Sequence, residues 1–304
     1  MELRQLHYFV AVYEEGSITQ AAHRLNIVQP AVSQQLAKLE GELGGTLFQR
    51  TSKGLKPTYL GENAYRLFRP LVQGLEAARH DLSSDRHHVG GMLSIGAIAS
   101  IAHDILPDTL IAMGARHPDV TFRVTGGYSA EMLELLRVGR IDVAIINQGP
   151  RPRPDLIEEE LFHEGLALVC APDHPAVRRG GPVVQADLDQ LALPTFRHGL
   201  RDVIDLAARE AGLRLDPKLE CDEIAMLEQF VTRGGHVTIL PAVAVLRGLS
   251  AGRLAILPLA PNTRRRVVFA HSATRPMSRA AQVFLSGLRD RLRRVPRDLI
   301  TLSS

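Results

Sequence analysis

Residues Ser17–Leu39, SITQAAHRLNIVQPAVSQQLAKL, decide the fold of the first part of this chain. Small and apolar residues recur in this stretch at helical spacing on both sides of Asn26, which predicts two short helices with a turn between them. Asparagine tolerates the left-handed backbone that such a turn can require, and the small side chain of Ala22 lets the two helices cross closely. This combination is typical of a helix-turn-helix.

The second helix of this pair has a polar face that suits contact with DNA. The side chains that could reach base edges and phosphates are Gln29, Ser33, Gln34 and Lys38. A helix predicted over residues 3–15 precedes the pair and ends at Gly16, after which Ser17 stands as an N-cap and is also a candidate DNA contact. The same spacing also fits an amphipathic helical hairpin in a domain that does not touch DNA, and the pattern alone leaves that alternative open.

A short β-hairpin is predicted after the helices. Residues 46–50 and 55–58 are strand-like and flank a turn, which gives a winged arrangement. Arg50, Lys53 and Lys56 place positive charge on this wing, where contact with phosphate or the minor groove is expected. A solvated hairpin without DNA contact is the alternative, and for Lys56 the two interpretations are equally favoured.

Residues 59–82 predict one long helix. Leucine and alanine recur in it every three or four residues between polar side chains, and so narrow a seam favours pairing with a helix of a second chain. Pro70 removes one backbone hydrogen bond and is expected to kink or break the helix. His87 and His88 follow in a hinge-like segment, where adjacent side chains point in different directions and favour linker histidines over metal ligands.

Beyond this hinge, strands and helices alternate along the chain. The elements predicted first are strands at Met92–Ala97, Val120–Val124 and Asp142–Ile146 and helices at Ile101–Arg116 and Ala130–Val138. A second block of this kind begins near Leu166, and a basic helix over residues 278–294 closes the chain. Such alternation predicts doubly wound α/β units with mostly parallel sheets, in which ligands bind beyond the carboxyl ends of the strands.

The composition fits a globular chain of two or three domains, with 304 residues of which 45% are hydrophobic. No run approaches the ~20 apolar residues of a membrane span, and the chain begins with an amphipathic helix, so we expect a cytoplasmic protein without membrane contact. A formal net charge of +3 permits nucleic-acid binding without arguing for it. Cys170 and Cys221 lie in apolar, strand-like contexts, which favours buried inert thiols over a redox pair.

Taken together, these segments resemble the LysR-type transcriptional regulators over nearly the whole chain. The resemblance is carried by LRQLHYFVAVYEEGSITQAAHRLNIVQPAVSQQLAKLEGELGGTLFQR at residues 3–50, Gly61 after Pro57-Thr58, HPDV at 117–120, GRIDVAI at 139–145 and GGHVTILP at 234–241. The first match is highly specific. The later motifs are individually weak but occur in the expected order.

The resemblance implies three parts. Residues 1–58 would form an α-rich winged helix-turn-helix domain, residues 59–88 a linker helix for dimerisation, and residues 89–304 an α/β effector-binding domain of two Rossmann-like lobes similar to a periplasmic binding protein. Lobe I would cover about 91–162 and 267–304, and lobe II about 163–266. The resemblance also implies a homodimer through the linker helix, assembly into homotetramers, binding to double-stranded promoter DNA, a small-molecule effector between the lobes, and RNA polymerase as a further partner.

The family pattern marks contact positions in the recognition helix and the wing. In this chain they are Gln29, Pro30, Ser33 and Gln34, with Arg50 in the wing. Many relatives carry arginine where this chain has Gln34. Because arginine commonly pairs with guanine whereas glutamine favours adenine, we expect weaker guanine selectivity at that base step.

The family pattern also marks candidate effector contacts around the cleft. They are Ser100, Gly127, Ser129, Asn147, Gln148, Thr195, Phe196, Arg197 and Arg201. Ser100 begins the first helix, where free backbone N–H groups favour an anion, and Arg197 and Arg201 favour a small anionic effector. Each residue taken singly also fits a role as a loop residue or a helix cap.

Two other classes of protein remain as alternatives. A small-molecule-binding protein without a DNA role leaves the helix-turn-helix unexplained and needs an export signal. An α/β enzyme could use His103 with Asp104, or His198 with Asp202, yet no nucleophile elbow, metal triad or phosphate loop lies near these pairs. We therefore expect no catalytic residue, no metal site and no cofactor other than the effector.

Overall fold

The structure, a computed structural model, describes residues 1–51, 54–82, 89–149, 151–195, 199–259 and 263–303, without the side chains of Gln73 and residues 76–82. The chain forms two compact units, one with the elements up to Leu82 and the other with those from Gly91 onward. One hydrophobic core fills the first unit, and two cores fill the second.

The first unit is a winged helix-turn-helix followed by one long helix. Its elements are α1 Leu3–Glu15, α2 Ile18–Arg24, α3 Gln29–Leu43, β1 Phe48–Thr51, β2 Gly54–Pro57 and α4 Tyr59–Leu82. The wing begins two residues later than its sequence predicts, at Phe48. Phe9 of α1 and Val32 and Leu39 of α3 are fully buried in the shared core, which holds the recognition helix against α1.

Helix α4 packs closely on the wing at its first turn. A Cβ atom on Gly61 would lie 2.1 Å from the backbone oxygen of Leu47, so only glycine permits this approach. The helix continues through Pro70, so the alternative of a break there is wrong, and the alternative of a kink stays a prediction. Its apolar residues also divide between two faces, because Phe68 is buried in the core of the unit whereas Leu67 and Leu71 are exposed.

The second unit contains the remaining elements. They are β3 Gly91–Ile98, α5 Ala99–Ala102, α6 Ile105–Arg116, β4 Val120–Gly127, α7 Ser129–Arg137, β5 Val143–Asn147, β6 Leu156–Cys170, α8 Pro175–Arg179, β7 Leu191–Leu193, α9 Gly199–Glu210, β8 Leu219–Glu220, α10 Ile224–Gly234, β9 Val237–Pro241, α11 Leu246–Ser250, β10 Ala255–Pro258, β11 Arg264–Ser272, α12 Arg279–Leu292 and β12 Thr301–Leu302, with 3-10 turns at Gln185–Leu188 and Ala242–Ala244. The helix expected over 101–116 is divided in two. Pro107 then falls in the first turn of α6, where its missing N–H group costs nothing.

The strands of this unit join in the order β4-β3-β5-β11-β6-β9-β7-β8, and β10 and β12 pair with β6. Strands β3, β4 and β5 are parallel in lobe I, and β7 is parallel to β8 and β9 in lobe II. The expectation of mostly parallel sheets is wrong for the centre, where β11 runs antiparallel to both β5 and β6.

Strand β6 links the lobes. Its first part pairs with β11 of lobe I and its second part, Leu166–Val169, pairs with β9 of lobe II. The sequence predicted only this second part, because Glu158, Glu159 and Glu160 interrupt the apolar run expected of a buried strand. The expected lobe border near residue 163 therefore falls inside one continuous strand.

Candidate nucleic-acid interface and interlobe site

The turn of the helix-turn-helix has the geometry that its sequence predicts. Asn26 adopts a φ angle of 54°, and Gly16 adopts 61° at the end of α1. The Ser17 Oγ atom accepts a hydrogen bond from the Gln20 N–H group at 3.4 Å and caps α2. These features fix the start of α3 relative to α2.

Helix α3 presents the expected polar residues on one side. Val32, Leu36 and Leu39 are buried in the core. The predicted contacts Gln29, Pro30, Gln34 and Lys38 are exposed, and Ser33 is half-buried. The exposed side chains can therefore reach a major groove, which admits an α-helix. Val28, 69% exposed just before α3, is an apolar neighbour that the sequence interpretation missed.

The wing carries positive charge beside this helix. Strands β1 and β2 pair antiparallel, with Arg50 opposite Leu55. The side chains of Arg50 and Lys56 are exposed and can approach phosphates. The predicted contact Lys53 lies outside the described residues.

In lobe I, four predicted effector contacts meet at one edge of the sheet. Ser100 follows β3 on α5, Gly127 ends β4, Ser129 begins α7 and Asn147 ends β5. These strands are parallel, so their carboxyl ends share an edge, and Ile98 stands opposite Gly127 in the register. The Asn147 N–H group donates to Ser129 Oγ at 3.1 Å, which ties two of the four residues together.

Ser100 differs from its neighbours. Its side chain is 2% exposed, and its Oγ atom has no hydrogen-bond partner among the residues that the structure describes. A buried hydroxyl without a partner loses its hydration without compensation, which costs free energy. Gln148 is exposed beyond this edge, and its N–H group donates to the Arg266 carbonyl at 2.9 Å.

Below the edge lies an ion pair that the sequence interpretation missed. Arg265 on β11 donates to Glu164 on β6 through Nε at 3.0 Å and Nη2 at 2.6 Å, and both side chains are buried. Arg265 Nη1 also donates to Asn147 Oδ1 at 3.3 Å, and the Val243 N–H group donates to Glu164 at 3.2 Å. The ion pair therefore holds the side-chain oxygen of Asn147 in place through Arg265. Glu164 lies in the strand segment that the sequence left unassigned.

Lobe II contributes Thr195, whose donors are already occupied. Its N–H and Oγ1 groups both donate to Asp222 Oδ1, at 3.1 and 2.5 Å. Tyr128 of lobe I donates to the other oxygen, Oδ2, at 2.8 Å. One carboxylate thus joins the loops after β4, β7 and β8 across the two lobes. The sequence interpretation missed Asp222. Its place at the end of the KLECD segment, just after β8, could have marked it as a candidate site residue.

The guanidinium of Arg201 is occupied by groups of the chain itself, and its predicted contact with the effector stays a prediction. The side chain is 4% exposed and donates to Asp205 at 3.0 Å, to Glu220 at 2.6 Å and to the Pro194 carbonyl at 2.9 Å. The amphipathic pattern of α9 turns its guanidinium inward, which a count of charges in the sequence does not reveal. Phe196 and Arg197 lie outside the described residues.

The first pair of side chains considered for an enzyme, His103 with Asp104, has structural partners. His103 Nε2 lies 3.1 Å from Glu228, and the Arg247 N–H group donates to Asp104 at 3.0 Å. His198, the histidine of the other pair, lies outside the described residues. Among the residues that the structure describes, no group of three or more histidine, cysteine, aspartate or glutamate side chains could hold a metal ion. The described helices include none that is long and apolar enough to cross a membrane.

Two family models match the chain. The one described as a bacterial regulatory helix-turn-helix protein of the lysR family matches residues 3–62, and the LysR substrate binding domain matches residues 86–293. The chain belongs to the LysR family. It is therefore a DNA-binding transcriptional regulator with an effector-binding domain, and the alternative of a binding protein without a DNA role is set aside.

This LysR-type regulator is similar to other family members along most of its length. It is 29% identical over 270 residues to the HTH-type transcriptional regulator GalR of Pseudomonas putida, which covers 88% of this chain and 68% of GalR. It is 26% identical over 297 residues to the hydrogen peroxide-inducible genes activator of Haemophilus influenzae, covering 97% of this chain and 98% of that protein.

Solved structures share the fold. A full-length OxyR variant from Pseudomonas aeruginosa gives a TM-score of 0.79 at 24% identity and covers 100% of this chain and 99% of that one. The structure of full-length CbnR complexed with its target DNA gives 0.59 at 24% identity, covering 96% and 100%. The predicted fold class, a winged helix-turn-helix followed by an α/β effector domain, is confirmed.

Proposed function

We propose that this regulator binds promoter DNA as a dimer and that a small molecule seated beside Ser100 changes that binding. The effector part of the proposal is supported by the buried Ser100 hydroxyl, which has no hydrogen-bond partner in the described part of the chain. A ligand that hydrogen-bonds to this hydroxyl would satisfy it. The ligand would also lie next to three residues at the same sheet edge, Gly127, Ser129 and Asn147.

The contacts in the structure favour an effector with a different charge from the one that the sequence suggested. Arg201, one of the two arginines that favoured an anion, is paired with the chain's own carboxylates Asp205 and Glu220, and the donors of the neighbouring Thr195 are held by Asp222. An anionic group that bonded to Thr195 would have to displace Asp222 and would meet its negative charge. We therefore propose a small polar effector recognised by hydrogen bonds, with no cofactor, metal or catalytic chemistry involved.

Hydrogen peroxide, which appears in the names of several relatives, is not proposed as the signal. Cys170 lies on β6 and Cys221 just after β8, three positions along in the strand order. At about 4.8 Å per strand their lateral separation is about 14 Å, whereas a disulfide needs Cα atoms within about 7 Å. Burial raises the pKa of Cys170 to about 11, which keeps this thiol protonated and unreactive.

The exposed face of α4 supports the dimer. Leu67 is 59% exposed and Leu71 57%, one helical turn apart. Two apolar side chains at this spacing suit packing against the same helix of a second copy. We place the borders of the three parts at residues 58 and 88, and we propose further assembly into a tetramer in the cytoplasm, where promoter DNA and RNA polymerase are present.

The proposal is tested in two steps. The full chain is expected to retard a duplex covering the region upstream of its own gene at moderate salt, and a chain lacking residues 1–58 is not. A thermal-shift screen of small polar metabolites and aromatic acids then seeks a stabilising compound, because a ligand of the folded state raises stability by mass action. A compound that stabilises the Ser100→Ala variant equally well would contradict the assigned site.

A further inference from the structure

One carboxylate in the first unit joins three helices. Glu14, near the end of α1, accepts from Arg24 of α2 at 2.6 Å. It also contacts Arg69 Nε of α4 at 2.6 Å and accepts from the Tyr65 hydroxyl of α4 at 3.0 Å. Both Tyr65 and Arg69 lie on one face of α4, since they are four residues apart.

This cluster is buried. The side chain of Glu14 is 5% exposed and that of Arg69 6%, whereas Arg24 reaches the surface with 33%. Burial by itself would raise the pKa of Glu14, but the charges of Arg69 and Arg24 and the hydrogen bond from Tyr65 outweigh it and lower that pKa. Glu14 is therefore ionised, and removing its charge would leave two guanidinium groups without their shared partner.

The position of the cluster gives it a mechanical consequence. Arg24 is the last residue of α2, directly before the turn that leads to the recognition helix α3. Tyr65 and Arg69 belong to the part of α4 that packs on α1, and Tyr65 stacks on Tyr13 of α1 with ring centroids 3.8 Å apart. A change in the direction of α4 would therefore shift the position of α2 and of the turn that follows it, because Glu14 contacts both α4 and α2.

We propose that Glu14 is a positioning residue that sets the angle between α4 and the recognition helix. The inference rests on the proposed dimer through α4, because in such a dimer this angle fixes the separation of the two recognition helices. That separation determines which spacing of DNA half-sites is bound. Glu14 touches no DNA in this account and acts through Arg24 and Arg69.

The test compares half-site spacings. Duplexes carry two copies of a half-site obtained by selection from random sequence, either at the selected spacing or with one base pair inserted or removed. One inserted base pair moves the second half-site by about 3.4 Å and about a tenth of a turn. The wild-type protein is expected to bind the selected spacing with about tenfold higher affinity than the altered spacings. In Glu14→Gln this ratio of affinities is expected to fall to about twofold.

Glu15→Gln is the matched control. Glu15 is the next residue of α1 and contacts Arg24 at 3.1 Å, and the structure gives it no ion pair with α4 among the described residues. This variant is expected to keep the wild-type spacing preference. If circular dichroism shows that Glu14→Gln does not fold, Tyr65→Phe removes one hydrogen bond to Glu14, keeps the aromatic ring and undergoes the same assay.

The outcomes separate the two proposals. A Glu14→Gln variant that melts at lower temperature but keeps the full spacing preference overturns the inference, because its role is then structural only. A wild-type protein that binds single half-sites as a monomer, without any spacing preference, overturns the proposed dimer and the inference with it. Loss of preference in Glu14→Gln but not in Glu15→Gln supports both.

Discussion

The Tyr128 hydroxyl donates a 2.8 Å hydrogen bond to Asp222, and this bond joins the loop after β4 in lobe I to the loop after β8 in lobe II. Asp222 also accepts from the N–H and hydroxyl groups of Thr195. A fold in which a ligand is expected between the lobes thus already holds them together with its own carboxylate.

Removing this bridge is predicted to destabilise the second unit. Tyr128→Phe and Asp222→Asn should each lower the free energy of unfolding by about 1–2 kcal/mol, because each removes a hydrogen bond to a charged group. The double variant should lose less than the sum, measured by urea unfolding of the full chain followed by circular dichroism. Tyr59→Phe, with the ring 85% exposed, is the control. Additive losses would show that the two residues are not coupled.

Ser100 and Ser94 offer a matched pair of substitutions. Both hydroxyls are buried and lack a hydrogen-bond partner within the described ranges, but Ser94 lies inside β3 whereas Ser100 lies beyond its end. Ser94→Ala and Ser100→Ala are each expected to leave the unfolding free energy unchanged or slightly raised, since an unsatisfied hydroxyl is removed. Isothermal titration with a stabilising compound from the screen should show weaker binding for Ser100→Ala alone. An equal loss of affinity for the compound in both variants would show that the ligand does not bind beside Ser100.

The base preference of the recognition helix is predicted to depend on Gln34. Gln34→Arg should increase the preference for guanine at one base step by about 1–3 kcal/mol, because arginine pairs with two acceptors of guanine. Selection from random duplexes measures this preference. Lys38→Ala is the comparison. This variant should bind all DNA sequences more weakly by a similar factor, and its DNA affinity should depend less on salt. An invariant guanine already selected by the wild-type protein at that step would contradict the prediction.

The stability of the first unit is predicted to fall in acid through Glu14. The folded-state pKa of Glu14 lies below its ordinary value of 4.5, so its contribution is complete above that pH and is lost as the pH falls through the lower, folded-state value. The protection factors of the α1 amides, which compare the observed with the intrinsic exchange rate at each pH, should therefore fall below about pH 4.5 in the wild-type protein. Glu14→Gln should exchange faster than the wild type at pH 7, with a smaller further change in acid. Parallel pH profiles for the two proteins would rule out this carboxylate as the source.

The helix-turn-helix could be predicted closely from the sequence because its determinants are local. Asn26 supplies the positive φ, Ser17 caps the next helix, and the apolar spacing of α3 settles which side is buried. Such features depend on residues a few positions apart, which a single sequence displays directly.

The interlobe site could be predicted only in part, because it depends on pairing between distant segments. The family resemblance marked Ser100, Gly127 and Asn147 as candidate contacts, and the alternation of strands and helices placed them near strand ends. The sequence did not show that Glu164 pairs with Arg265 or that Asp222 occupies the donors of Thr195. Nor did the apolar seam of α4 reveal that its residues divide between a core face and an exposed face.

The central claim, that a small molecule beside Ser100 controls DNA binding, is tested most directly by one titration. Fluorescence anisotropy of the upstream duplex with the full chain is measured with and without a stabilising compound, for the wild-type protein and for Ser100→Ala. The compound is expected to change the affinity of the wild-type protein for the duplex and to have no effect on that of Ser100→Ala. A compound that binds the wild-type protein but leaves its DNA affinity unchanged, or that acts equally on Ser100→Ala, would contradict the central claim.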